Sequence, residues 1–331
     1  MADPTFDVIA IGNAIVDVMA PCEEALIEEL GMTRGGMTLV DTERAEHLYD
    51  RMGPAREISG GSAANTLAGL AALGAKCGFI GQVAGDQLGA VFAHDIRAAG
   101  IAFGTPARAG DPPTARCLIF VSPDGQRTMN TFLGASQFLP AAALDLDMIA
   151  DAKVLYLEGY LWDPEEPRAA MRAAIGAARA AGRKVAFTLS DAFVIDRHGD
   201  DFRALIDAGE IDILFANENE LAALTQTDDF ERGIATLAPK LPVLVVTRSE
   251  HGAVAVANGE RVHVPAEPIE RVVDTTGAGD LFAAGFLHGH VRGQPLRDCL
   301  KLGAICAAEV ISHYGARPEA DLKALTAPVL G

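Results

Sequence analysis

Basic residues are in deficit. Lys plus Arg number 27 against 45 Asp plus Glu, a formal net charge of −18. Nucleic-acid binding draws on clustered Lys and Arg that release counterions, so no nucleic-acid partner is expected. Long apolar runs are also missing. The most apolar stretch, around Leu67 to Val83, is interrupted by Lys76 and by glycines, and nothing reaches the ~18 residues of a membrane span. Cysteine is sparse and unpaired in pattern: Cys22, Cys77, Cys117, Cys299 and Cys306 form no Cys-x-x-Cys, which excludes a disulfide framework and a zinc knuckle. No Gly-x-x-x-x-Gly-Lys-Ser/Thr occurs, so the chain is not a P-loop NTPase. No Gly-x-Gly-x-x-Gly follows the first strand, so there is no dinucleotide fingerprint. The acidic start lacks a basic n-region and an apolar h-region, and the expectation is a cytoplasmic protein without a signal peptide.

What is present is a 331-residue chain, 50% hydrophobic and 22% charged, which is too apolar to be disordered. Its 34 glycines indicate turns where backbone approaches something closely. A short apolar strand at 6–11 ends at Gly12-Asn13. A helix is predicted over 62–73, with Ser62 as its N-cap and Gly74 just past its end. It carries no charge, so it should be covered on most sides. A strand at 76–81 and a helix at 87–99 follow. Two strands, 114–121 and 126–132, flank the turn Ser122-Pro123-Asp124-Gly125. This hairpin breaks the alternation and belongs to a separate small sheet, a lid that residues 36–40 could join.

From about 150, strands at 154–157, 185–189, 211–215 and 243–246 alternate with helices at 167–181, 201–208, 218–224 and 230–238. An antiparallel pair at 253–257 and 262–264, a strand at 272–273 and helices at 280–291, 295–312 and the C-terminus complete the chain. The fold class is α/β, with a mostly parallel sheet covered on both faces.

The richest segment is Asp274-Thr275-Thr276-Gly277-Ala278-Gly279-Asp280. Gly277, Ala278 and Gly279 can turn their N–H groups to one point at a helix N-terminus, which makes an anion site. Asp280 stands at that point. Two readings are open: a helix cap on a tight turn, or a base that takes a proton from a hydroxyl while a phosphoryl group is transferred to it.

Asp274 to Asp280, followed by Leu-Phe-Ala-Ala-Gly-Phe, resembles the C-terminal signature of the PfkB (ribokinase-like) carbohydrate and nucleoside kinases. Gly60-Gly61-Ser62-Ala63-Ala64-Asn65 resembles that family's N-terminal glycine pair, and the resemblance covers almost the whole chain. It implies a single ribokinase-like α/β/α domain over 1–331 with a discontinuous β lid from roughly 14–43 and 103–133. It also implies ATP-dependent phosphorylation of a hydroxymethyl group, with Mg²⁺ as cofactor.

Asp17 lies in an otherwise apolar run and needs donors such as paired sugar hydroxyls, or else closes an Asx-turn. Asn65 offers both donors and acceptors, and Gly61 leaves room for a ligand. In the family, positions matching Asp17, Gly61 and Asn65 hold sugar hydroxyls, and Asn13 resembles a further contact. Asn217 and Glu220 have capping-box spacing. They also match the family's Asn-x-x-Glu motif, which places Asn217 beside ATP and Glu220 on Mg²⁺ through water. Thr247 and Gly252 match the turn that passes beside ATP. Asp274, Thr276 and Gly315 resemble the loops that hold a monovalent cation, K⁺, in some members. Arg127, on the hairpin, could fold over the transferred phosphoryl group or lie exposed.

The opening Gly12 to Asp17 resembles adenosine kinase more than ribokinase, and Phe193 matches an adenine-packing position. The expected substrate is therefore adenosine, with ribose, fructose or a related sugar as the alternative. A non-catalytic nucleoside sensor is a third reading, which Asp280, Asn217 and Glu220 argue against. The expected partners are a small-molecule nucleoside or sugar and ATP, with no nucleic acid and no membrane, and the chain is a monomer or homodimer.

Overall fold

The computed structural model describes residues 4–330. The first three residues of the acidic start, and Gly331, lie outside that range. Fourteen strands run in chain order: β1 (Phe6–Ile11), β2 (Ile15–Pro21), β3 (Met37–Leu39), β4 (Arg56–Gly60), β5 (Cys77–Ile80), β6 (Ala102–Phe103), β7 (Ala115–Val121), β8 (Arg127–Phe132), β9 (Ala152–Glu158), β10 (Lys184–Thr188), β11 (Ile213–Asn217), β12 (Val243–Thr247), β13 (Ala253–Ala257) and β14 (Glu260–Val264). Nine form one sheet in the order β14-β13-β12-β11-β10-β9-β1-β5-β6, in which β13 alone among these strands runs antiparallel to the rest.

The period-2 alternation of the central strands decides which face each side chain meets. Val8, Ala10, Val154 and Tyr156 join one core, and Ile9, Ile11, Leu155 and Leu157 join the other. On the second face Trp162 is fully buried against Phe187 and Phe202, so it is a core residue rather than a ligand wall. Chain order advances from β1 to β5 and β6 on one side and from β9 to β12 on the other. The β1–β9 junction is therefore the switch point, where open α/β sheets leave a crevice at the strand C-termini.

A second sheet has the order β3-β8-β7-β2-β4. It uses both expected segments and adds β4, which sequence reading left unassigned.

The uncharged helix Ser62–Ala72 packs against helix Ala278–His290, which in turn lies on helix Leu296–Val310. Missing side chains allow this closeness. A Cβ on Gly69 would sit 2.6 Å from Leu281 Cδ1 and 2.8 Å from Ala284 Cβ, and one on Gly285 would sit 2.4 Å from the Leu302 carbonyl oxygen.

Three local expectations need correction. Residues 272–273 form no strand; Val273 donates its N–H to Ile311 O at the end of the neighbouring helix instead. The helix expected at 201–208 spans Ala192–Asp207, because Asp191 caps it by accepting from Phe193 N. Gly61, not Ser62, holds the N-cap position of helix Ser62–Ala72, which leaves the Ser62 hydroxyl free for a tertiary bond.

Gly69→Val should force the first two helices apart and lower stability by roughly 1–3 kcal/mol, the usual scale of overpacking. Urea unfolding measures this, and a variant as stable as wild type would show that the helix pair has slack.

Candidate active site

The crevice at the switch point is a cavity of about 730 Å³ between the C-terminal ends of the parallel strands and the second sheet. Glu158 anchors its floor. The last residue of β9, it is fully buried and accepts from Asn13 N, Asn13 Nδ2 and Ala63 N, each at 2.7 Å. One carboxylate thus ties β1, β9 and the start of helix Ser62–Ala72 together. Burial pushes Glu158 up to about 7 against these bonds. Sequence reading missed it, although a carboxylate closing an otherwise apolar strand was a usable signal.

Asn13 is buried, with its Oδ1 accepting from Ser136 Oγ at 2.8 Å, so its side chain is largely committed to the protein. Gly61 has φ +95°, and a Cβ there would lie 2.2 Å from Asn13 O. Gly61 lines the cavity, and the close approach that demands glycine there is to the Asn13 carbonyl.

Asp17, on β2, lines the cavity and accepts no hydrogen bond among the described residues, which removes the Asx-turn reading. Burial raises it to about 6; the charges of Arg127 and Arg317 oppose that rise, and those of Asp280 and Asp274 add to it. An unpartnered carboxylate facing a cavity is an acceptor for hydroxyl donors.

Across from it, Gly277 takes φ +79° and begins helix Ala278–His290. Ala278 N is occupied by Thr275 O at 3.2 Å, which corrects its place in the anion cradle. The N–H groups of Gly277, Gly279 and Asp280 have no acceptor among the described residues and lie in the cavity wall at the positive end of the helix. The Asp280 carboxylate does not cap its helix. It accepts from Ser62 Oγ at 2.6 Å and from Asn65 Nδ2 at 3.0 Å, both in the first turn of the other helix. Burial raises Asp280 above its ordinary value, opposed by these two bonds and by the charge of Arg317.

On the nucleotide side, Asn217 and Glu220 form a complete capping box at the end of β11. Asn217 Nδ2 donates to Glu220 Oε1 at 2.6 Å, Asn217 N donates to Oε2 at 3.0 Å, and Glu220 N donates to Asn217 Oδ1 at 2.8 Å. Both residues line the cavity, as does Thr247, and burial raises Glu220 to about 7. Phe193 stands in the wall beside Tyr160, ring centroids 6.0 Å apart, with the Arg197 guanidinium over its ring at 4.9 Å.

Two expected groups fall elsewhere. Gly252, at φ +78°, is outside the cavity lining; a Cβ there would meet Val264 O at 2.0 Å, so it is a turn glycine. Arg127 neither covers the phosphate turn nor lies exposed. It is buried in an ion pair with Asp274, on the wall of an adjoining cavity of about 700 Å³. Asp274, Thr276 and Gly315 do come together, but through bonds to Asp274 from Thr276 N, Thr276 Oγ1 and Gly315 N. The Arg127 guanidinium supplies the positive charge at that carboxylate, so its residues do not fit a bound monovalent cation.

Ser62→Ala removes a bond made to the charged form of Asp280 and should move its titration midpoint upward. The folded carboxyl already binds its proton more tightly than the unfolded one near 3.8. Stability from this group therefore falls as pH rises from that value through the folded midpoint, and the variant should deepen the fall. Carboxyl ¹³C titration, with urea unfolding at about pH 4 and about pH 8, tests both signs. An unmoved midpoint would separate Ser62 from the charge state of Asp280.

The sequence pattern of the pfkB family of carbohydrate kinases matches residues 9–322. A fructokinase from Klebsiella pneumoniae is 30% identical over 279 residues, which cover 81% of this chain and 91% of that one. Among solved structures, a probable sugar kinase protein from Rhizobium etli CFN 42 aligns with a TM-score of 0.91 at 48% identity, over 98% of this chain and 99% of its own. Adenosine kinase from Sinorhizobium meliloti aligns with a TM-score of 0.90 at 50% identity, again over 98% and 99%. The match runs from β1 almost to the C-terminus and takes in both the Gly60-Gly61 turn and the Asp280 turn, so the chain belongs to the pfkB carbohydrate kinase family and is a kinase of a sugar or nucleoside hydroxyl.

Proposed function

We propose that this kinase transfers the γ-phosphoryl group of ATP to the 5′-hydroxyl of adenosine, giving AMP and ADP. The observation that carries the choice of acceptor is the aromatic pair Tyr160 and Phe193 in the same cavity as the unpartnered Asp17. A nucleoside needs an apolar wall for its base and acceptors for its ribose hydroxyls, and the cavity offers both. The 50% identity to an adenosine kinase supports this reading. A free sugar such as fructose or ribose is the second reading, favoured by the fructokinase relative and by an Asp17 that needs no base beside it.

In this scheme Asp17 and Asn65 orient the acceptor, and Asp280 takes the hydroxyl proton as the oxygen attacks the γ-phosphorus. The bond from that phosphorus to the β–γ bridging oxygen breaks, and ADP leaves. The free N–H groups of Gly277, Gly279 and Asp280 stabilise the charge on the transferred group.

No three His, Cys, Asp or Glu side chains gather into a metal cluster among the described residues. Mg²⁺ does not require one, because it keeps waters and phosphate oxygens as ligands. Glu220, a carboxylate of the cavity wall beside Asn217 and Thr247, fits a hydrated Mg²⁺, which would neutralise phosphate charge when bound. Asn217 and Thr247 border the nucleotide, and the second sheet covers the acceptor as a lid.

Asp280→Asn should lower kcat by at least ~10²-fold with little change in acceptor affinity. A variant with near-normal kcat would remove Asp280 as the base. Phe193→Ala should cost adenosine roughly 1–3 kcal/mol in kcat/KM and leave free sugars almost unaffected. The deciding measurement is a coupled ADP-release assay of the wild type with adenosine, ribose and fructose. Higher kcat/KM for either sugar overturns adenosine as the acceptor while leaving the transfer chemistry standing.

A further inference from the structure

Arg317 has no place in the scheme above, yet it is among the most constrained side chains in the molecule. It follows the last long helix, in the wall of the cavity that adjoins the site behind Asp17 and Asn65. Its guanidinium makes four hydrogen bonds. Nε and Nη2 donate to Ser59 O at 3.1 and 2.7 Å, Nη2 also donates to Ser59 Oγ at 3.1 Å, and Nη1 donates to Ala64 O at 2.8 Å. Those two carbonyls bracket Gly60-Gly61-Ser62-Ala63, the bend that delivers Ser62 and Asn65 to Asp280. All these acceptors are neutral, and Arg317 forms no ion pair among the described residues.

A charged, largely desolvated guanidinium with only neutral partners is costly unless carboxylates stand nearby. Asp17 on β2, Asp280 on helix Ala278–His290 and Asp95 on helix Gln87–Ala98 are the charges that act on it. Asp95 reaches the same bend, accepting from Ser59 N at 3.1 Å.

We propose that Arg317 is a positioning residue for phosphoryl transfer: its fork clamps the Ser59–Ala64 bend from behind, and its charge balances the Asp17 and Asp280 carboxylates that face the acceptor. The charge half of this inference rests on Asp280 being the base; the clamp half does not. Asp280 shares the cavity wall with the Asp17 and Glu158 carboxyls, each of which its negative charge pushes upward. Arg317 is the cation that works the other way. The Ser62 and Asn65 bonds and the Arg317 charge thus act together in favour of the ionised base, and Arg317 does so without touching it.

Arg317→Met and Arg317→Lys separate the two halves. The first measurement is amide hydrogen exchange at Ser59–Asn65 in the protein without nucleotide or acceptor. Exchange there should speed up about tenfold or more in Arg317→Met, because the carbonyl clamp is gone. The second is the pH dependence of kcat with ATP, Mg²⁺ and whichever of adenosine, ribose or fructose the wild type prefers. The acid limb should move upward by roughly half a pH unit or more in Arg317→Met and stay near wild type in Arg317→Lys, which keeps the charge. Unchanged exchange overturns the clamp, and an unmoved acid limb in a folded Arg317→Met overturns the charge role. If neither variant folds, Arg317 is a folding residue and the proposal fails. Asp280→Asn run in parallel keeps the readings apart: should it retain a normal pH profile, Asp280 is not the base, and only the exchange data bear on Arg317.

Discussion

The meeting of two helix N-termini at one carboxylate organises this molecule. Asp280 is desolvated, and a desolvated carboxylate must find donors or give up its charge. Its donors, Ser62 and Asn65, come from a helix more than two hundred residues earlier in the chain. They arrive only because the two helices run closer than ordinary side chains permit, with Gly69 against Leu281 and Ala284. The packing of the core and the charge state of the site are one constraint: anything that separates the helices also strips the carboxylate of its partners.

The same economy holds at the other acids. Glu158 joins the two halves of the sheet at the point where strand order reverses, and it holds Asn13 and Ala63 at once. Asp274 gathers four donors, from Arg127, Thr276 and Gly315, and so fixes the loop that enters the glycine turn. Among these four acids Asp17 has no donor in the described residues, and it opens both to the main cavity and to the neighbouring one. Glu158 and Asp274, saturated by internal donors, serve the frame, whereas Asp17 is left available to a ligand.

Much of this was legible in the sequence because it was written in local patterns. Alternating apolar strands, the charge-free helix at Ser62 and the Asp274–Asp280 turn each follow from neighbours in the chain. The pairing of Asn217 with Glu220 is likewise an i, i+3 event and came through intact as a capping box. What escaped depends on partners far apart. Arg127 and Asp274 are 147 residues apart, and nothing local to Arg127 signals burial, so it read as a side chain for ligand or solvent. Arg317 reaches back to Ser59 across 258 residues and left no motif. The short edge strand β4 was hidden because its residues, Arg56 and Glu57 among them, lack an apolar run. Gly252 misled in the opposite way, since a glycine that serves a turn and one that serves a ligand are spelled alike.

The second sheet carries one more consequence, on its outermost strand. Met37 and Leu39, on β3, are 42% and 49% exposed, yet both face the cavity. Large apolar side chains turned to water beside a binding site represent solvent-ordering surface that an occupant would cover. Occupancy of the site should thus carry a calorimetric mark that hydrogen bonds to Asp17 would not leave. The heat capacity falls when ligand binds, so the measured enthalpy grows more exothermic with each degree of warming.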